Sequence, residues 1–129
     1  LVSDASALLE YLLGTDDAGP VREILRGDVD LHVPALCDVE VISGIRRALV
    51  SRKVSDERAD ETIRDHLDLP LTRHGHQRLG GKILDLRKNF SACDATYVAL
   101  AEHLGGELLT WDKRLARAVR THTDIGVLP

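Results

Sequence analysis

The sequence predicts an α/β chain, with a central parallel sheet of four to five short strands flanked by helices on both faces. Three observations predict it. Short apolar segments of strand character alternate with stretches whose apolar residues recur every three to four positions. Four of the helical stretches open on Ser or Asp, and three close on Gly. A length of 129 residues with 43% hydrophobic side chains is that of one domain that buries a core without a disulfide or zinc staple. No repeat, low-complexity tract or linker divides the chain, so residues 1–129 are expected to form a single domain. With one Phe, one Trp and two Tyr, the core is expected to be Leu, Val, Ile and Ala.

Each element follows from local chemistry. Leu1 to Ser3 reads as the end of a strand, and Ala5 to Leu13 (ASALLEYLL) as a helix closed by Gly14, with Asp4 at the junction. A second helix is expected from Gly19 to Arg26, with Pro20 tolerated in its first turn and Gly27 at its end. Asp30 to Val33 is a short strand stopped by Pro34. Leu36, Val39, Ile42, Ile45 and Leu49 then mark the buried face of a helix that carries Glu40 in its first or second turn. Ser55, Asp56 and Glu57 start an acidic helix that runs to about His66. Leu67 to Thr72 is ambiguous, and a helix from about Gln77 to Lys88 is weakened by Gly80 and Gly81. Ser91 caps a helix from Ala92 to Leu104, ended by Gly105 and Gly106. Glu107 to Trp111 reads as a strand, Asp112 opens a helix from Lys113 to Arg120, and Ile125 to Leu128 closes the sheet.

Charge and cysteine content narrow the function. Cys37 and Cys93 form no CxxC pair and read as reduced thiols, so zinc held by cysteine is excluded. There is no apolar run long enough for a membrane span and no secretion signal, so the expected compartment is the cytoplasm and no membrane partner is expected. The net charge of −4 argues against a protein held to nucleic acid by bulk charge. Its distribution is uneven, because residues 56–68 carry six acids against two arginines and account for the whole excess. That helix reads as a solvated face. Arg46, Arg47, Arg52 and Lys53 form one basic cluster, and Lys113, Arg114, Arg117 and Arg120 another.

Four carboxylates carry the chemistry. Asp4, Asp94 and Asp112 each occupy a helix N-terminus, where ordinary capping also selects Asp. Asp4 and Asp112 directly follow strands, which brings both to the C-terminal edge of a parallel sheet, where such folds bind ligands. Glu40 shares its helix face with Ser43, Gly44 and Arg47, and its structural reading is an ion pair with Arg47. Four converging carboxylates without a compensating lysine need a cation to stay ionised. Oxygen-only ligands suit Mg²⁺ or Mn²⁺, whose chemistry includes phosphodiester hydrolysis. The helix dipoles are expected to favour the ionised forms of Asp4, Asp94 and Asp112.

The segments LVSDASALLEYLL, VPALCDVEVISGIRRAL and LRKNFSACDATYVALAEHLGGELLTWDKRLARAV together resemble the PIN-domain ribonucleases, most closely the VapC toxins of bacterial toxin–antitoxin modules. The resemblance spans nearly the whole chain and places the family's metal-binding and catalytic acids on Asp4, Glu40, Asp94 and Asp112. It implies a PIN-like fold and a Mg²⁺- or Mn²⁺-dependent endoribonuclease toxin that cuts structured cellular RNA, tRNA or rRNA, leaving 5′ phosphate and 3′ hydroxyl ends. It also implies a homodimer and a cognate antitoxin that blocks the site. Cys93 stands where similar sequences carry an aromatic residue, and Trp111 is bulky for its place.

Around the acids, Ser6 and Thr110 can offer hydroxyls to a carboxylate or a metal-bound water. Arg47, Arg87, Lys113, Arg114 and Arg117 are the candidate RNA-binding side chains. His74 and His76 form an H-x-H pair without a third ligand of matching type, which reads against a metal site. A receiver-like phosphoacceptor would need paired acids after the first strand and a Lys after the last, and neither is present. A non-catalytic PIN scaffold for partner binding or repression is the alternative that loss of an acid would favour.

Overall fold

The computed structural model describes residues 1–14 and 18–129. Five strands, β1 (Val2–Ser3), β2 (Leu31–Pro34), β3 (Leu71–His74), β4 (Leu108–Leu109) and β5 (Val127–Leu128), form one sheet in the order β3-β2-β1-β4-β5. Every pairing is parallel, with Val2 opposite both His32 and Leu108. The helices are α1 (Ala5–Leu13), α2 (Gly19–Arg26), α3 (Leu36–Val50), α4 (Asp56–Asp68), α5 (Gly80–Asp85), α6 (Ala92–Leu104) and α7 (Lys113–His122). The chain leaves β1 toward β2 and β3 but leaves β4 toward β5. Right-handed crossovers therefore place α1 to α4 on one face and α5 to α7 on the other. The order reverses between β1 and β4, so the crevice at their C-terminal ends is the topological switch point of the sheet.

Several elements differ from their sequence reading for identifiable reasons. The ambiguous stretch after α4 contains the edge strand β3, whose Thr72 and Arg73 are exposed and give it no apolar alternation. Pro34 does not stop β2. Ala35 donates its N–H to the His74 carbonyl at 2.8 Å, so the proline nitrogen falls on the β1 side, where the ladder is a single register pair. The helix expected over residues 77–88 is a 3₁₀ turn, Gln77–Leu79, followed by the short α5, with both glycines in its first turn. The strands read over residues 107–111 and 125–128 shorten to two residues each.

The apolar spacing located α3 but not its buried face. Val39 and Ile42 are 62% and 50% exposed, and the helix packs through Cys37, Val41, Gly44, Ile45 and Ala48. Gly44 decides this orientation, because a Cβ there would stand 2.2 Å from Cδ1 of Leu9 on α1. The Leu9 side chain fills the space that a side chain at position 44 would need. The core is Leu, Val and Ala as expected, but its largest fully buried side chain is Tyr97 on α6.

Candidate active site

Local capping chemistry sets the first two acids. Asp4 directly follows β1 and N-caps α1, its Oδ1 accepting the Ala7 N–H at 3.0 Å. Asp112 follows β4 and N-caps α7, accepting the N–H groups of Arg114 and Leu115 at 2.9 and 3.2 Å. Asp94 lies in the first turn of α6, which Ser91 caps by accepting the Asp94 N–H. Because α6 leads directly into β4, it runs back along the sheet, and its N-terminus lies at the same edge as Asp4 and Asp112. Glu40 stands in the second turn of α3, which begins just beyond β2. The four acids, together with Ser6, Leu9, Ser43, Arg47 and Tyr97, line one open cleft of about 340 Å³.

The β1–α1 and β4–α7 turns are joined by hydroxyls. Ser6 donates to Asp4 Oδ1 at 2.7 Å and accepts the Trp111 N–H at 2.9 Å. Thr110 donates to Asp4 Oδ2 at 2.5 Å and accepts the Asp112 N–H at 3.0 Å. Both oxygens of a carboxylate only 4% exposed are thereby oriented, and Ser6 also holds the backbone of the opposite turn while Thr110 holds that of its own. Glu40 accepts a hydrogen bond from the Tyr97 hydroxyl at 2.5 Å and makes no ion pair with Arg47.

Burial shifts two of the four acids. It pushes the Asp4 carboxyl up to about 6, against the opposing hydrogen bonds from Thr110, Ser6 and Ala7, with the Asp112 charge adding to the rise. Burial and the Asp112 charge also raise Asp94, against the Ser91 hydrogen bond and the Arg114 charge. Both rises run opposite to the direction a helix N-terminus favours, with desolvation the largest cause. None of the four acids enters a salt bridge among the described residues. Nor do any three acidic, His or Cys side chains among those residues close into a ready cage for a metal. Hydrogen bonds hold Asp4, Glu40 and Asp112 along the cleft walls instead. The donor set fits a hard divalent cation, being all oxygen, negatively charged, partly desolvated and without a salt-bridge partner among the described residues.

The remaining candidates divide. Arg47 lines the acid cleft, Arg114 and Arg117 border an adjoining hollow that contains Asp94, and Lys113 and Arg117 border another that contains Asp112. Arg87 is exposed and donates to the Leu84 carbonyl of its own turn, and it borders none of these clefts. His74 pairs with His32 at 2.9 Å across the β2–β3 edge. Cys37 is buried, Cys93 is exposed, and both are free. Sequence reasoning missed Tyr97. Its position three residues after Asp94 on one helix, and so on the same face, was the available signal.

Residues 1–120 match the PIN domain family. Over 118 residues, covering 92% of this chain and 91% of the relative, the sequence is 40% identical to ribonuclease VapC12 of Mycobacterium tuberculosis. The chain belongs to the VapC group of PIN-domain ribonucleases. Solved VapC and related structures share its fold at low sequence identity. The sarcin–ricin loop cleaving toxin VapC20 of Mycobacterium tuberculosis superposes with a TM-score of 0.68 at 14% identity, over 91% of this chain and 93% of that one. A toxin–antitoxin complex from Klebsiella pneumoniae does so with a TM-score of 0.70 at 16% identity, over 99% and 95%. The VapC assignment makes the four-acid cleft the first place to look for the chemistry. No described helix is long and apolar enough to cross a membrane.

Proposed function

We propose that this VapC-type endoribonuclease toxin uses Asp4, Glu40, Asp94 and Asp112 to hold Mg²⁺ or Mn²⁺ and hydrolyses phosphodiester bonds in structured RNA, with tRNA or rRNA as the substrate class. The single observation that carries this reading is the shared cleft of four carboxylates with no salt-bridge partner, two of them raised by burial and by the charge of Asp112. When bound, the metal supplies charge neutralisation, activation of water and stabilisation of the leaving 3′ oxygen. The chain supplies orientation. Ser6 and Thr110 hold both Asp4 oxygens, and Tyr97 holds Glu40. Arg47, Lys113, Arg114 and Arg117, exposed around the cleft, supply charge for the flanking phosphates. Arg87 could join them only by leaving the Leu84 carbonyl.

A cognate antitoxin that blocks the cleft is supported by the likeness to a toxin–antitoxin complex, and a homodimer by the VapC resemblance. The deciding experiment induces wild-type protein and the Asp94→Asn variant in bacteria and sequences RNA 5′ phosphate ends. Asn keeps the size of the side chain and removes its charge. New 5′ phosphate ends confined to wild type, and lost on co-expression of the antitoxin encoded beside the toxin, are expected. Equal cleavage by folded Asp94→Asn protein would overturn the metal assignment.

A further inference from the structure

Trp111 separates Thr110, which orients Asp4, from Asp112, which caps α7. Its backbone is pinned by the bond to Ser6, and its ring is half-buried against the Ala7, Val21 and Leu109 cluster beside Tyr11 and Leu25. The remaining ring surface lines a hollow of about 450 Å³ whose other walls come from one stripe of α7, Lys113, Ala116, Arg117 and Arg120, and from Leu128 on β5. The α7 positions fall at i, i+3, i+4 and i+7, a single helix face. The hollow therefore combines an aromatic and aliphatic floor with a rim of three exposed cations. Asp112 borders both this hollow and the four-acid cleft, so the two are contiguous.

We infer that this hollow is a nucleotide subsite, in which one unpaired base of the RNA stacks on Trp111 while Lys113, Arg117 and Arg120 hold the phosphates on either side of it. The inference rests on the ribonuclease reading above and extends it to where the chain next to the scissile bond goes. Phosphate binding alone would need only the cations. The apolar floor is what a flat, weakly hydrated base complements, and a base in single-stranded or looped RNA is free to enter it. The volume lies within the roughly 300–1,000 Å³ usual for small-ligand sites. Because stacking on the Trp111 ring reads the flat face of a base and not its edges, the subsite favours an unpaired base over a paired one with little choice among bases.

Trp111 is the only tryptophan, so its fluorescence reports on this hollow alone. In the full chain carrying Asp94→Asn, a short single-stranded RNA is titrated while Trp emission and the anisotropy of a labelled strand are followed together. Quenching with the same half-saturation as the anisotropy change is expected. An abasic strand of equal length and charge should bind with the same salt slope and leave the emission unchanged. Trp111→Ala should weaken binding of the normal strand about tenfold, with no effect on the abasic strand. Trp111→Phe keeps an aromatic ring and should lose no more than severalfold, which separates stacking from a folding defect. Binding without quenching, or equal quenching by the abasic strand, overturns the subsite while leaving the ribonuclease reading intact. Absence of RNA binding by both probes overturns the ribonuclease reading itself.

Discussion

Asp38 and Glu40 lie two residues apart on α3, and they belong to opposite kinds of acidic group. Asp38 faces a guanidinium and an imidazole. Arg73 on β3 donates to both of its oxygens at 3.1 and 2.9 Å, and Nε2 of the fully buried His66 on α4 stands 2.7 Å away. Burial alone would raise the Asp38 pKa, but the Arg73 and His66 hydrogen bonds and the Arg73 charge bring it below the ordinary carboxylate value. Glu40 faces the cleft with Asp4, Asp94 and Asp112, where no ion pair offsets the charge and burial drives Asp4 and Asp94 upward. An acid that carries its own counter-charge joins α3, α4 and β3 as structure. A group of acids without one has a cost that a bound cation can remove, and this difference, rather than the number of carboxylates, marks the functional end of the sheet.

The widest separation of the two groups is expected in catalysis. Asp4→Asn and Asp94→Asn should each lower RNA cleavage by roughly 10²–10⁴-fold, because each loses several kcal/mol of metal-dependent stabilisation. Both should keep the fold, since Asn can cap α1 as Asp4 does, and Asp94 lies in the first turn of α6, whose cap is Ser91. Asp38→Asn should leave the cleavage rate within severalfold of wild type. A rate measured with folded protein that ranks Asp38 with Asp4 would erase the comparison.

The next effect is on stability against pH, where the two groups have opposite signs. The folded-state Asp4 pKa of about 6 lies above its ordinary 3.8, so the folded state binds the extra proton. Without divalent metal, stability should therefore fall as pH rises from about 4 to about 7, by on the order of 2–3 kcal/mol. Asp4→Asn should flatten that window, and Mg²⁺ or Mn²⁺ at pH 7.5 should raise Tm of wild type more than of the variant. Asp38 behaves inversely. Its lowered pKa contributes stability above the ordinary carboxylate range, and that contribution is lost as pH falls below it. Denaturation followed from pH 3 to 8 with and without metal checks both arms.

A smaller change is expected from Asp38→Ala at neutral pH, about 1–3 kcal/mol of destabilisation, because it leaves the buried His66 ring and Arg73 without their shared partner. Urea unfolding measures it, and a loss below about 0.5 kcal/mol would show the cluster to be no more than a surface pair. The smallest effect concerns α7. Arg114→Ala with Arg117→Ala, in the Asp94→Asn background, should reduce the slope of log binding constant against log salt for single-stranded RNA by about 0.7 for each phosphate no longer neutralised. An unchanged slope would move the RNA to another face.

Periodicity and capping alone determined six of the seven helices closely, because these depend on local chemistry: Ser55, Ser91, Asp4 and Asp112 all cap where their side chains allow. The same local logic, with the order of strands and helices, placed Asp4 and Asp112 at the strand ends and picked out Asp94 at a helix start and Glu40 on its helix face, and the likeness to PIN ribonucleases fell on the same four. Tertiary structure decided what spacing cannot carry. The edge strand β3 exists through pairing with β2 and has no apolar pattern of its own. The buried face of α3 turns on the close approach of Gly44 to Leu9, not on its apolar residues, two of which face solvent. Tyr97 reaches Glu40 across 57 positions of sequence, and Thr110 reaches Asp4 across 106. Protonation was likewise out of reach, since a helix N-terminus can be read from sequence but the burial that raises Asp4 is a property of everything packed around it.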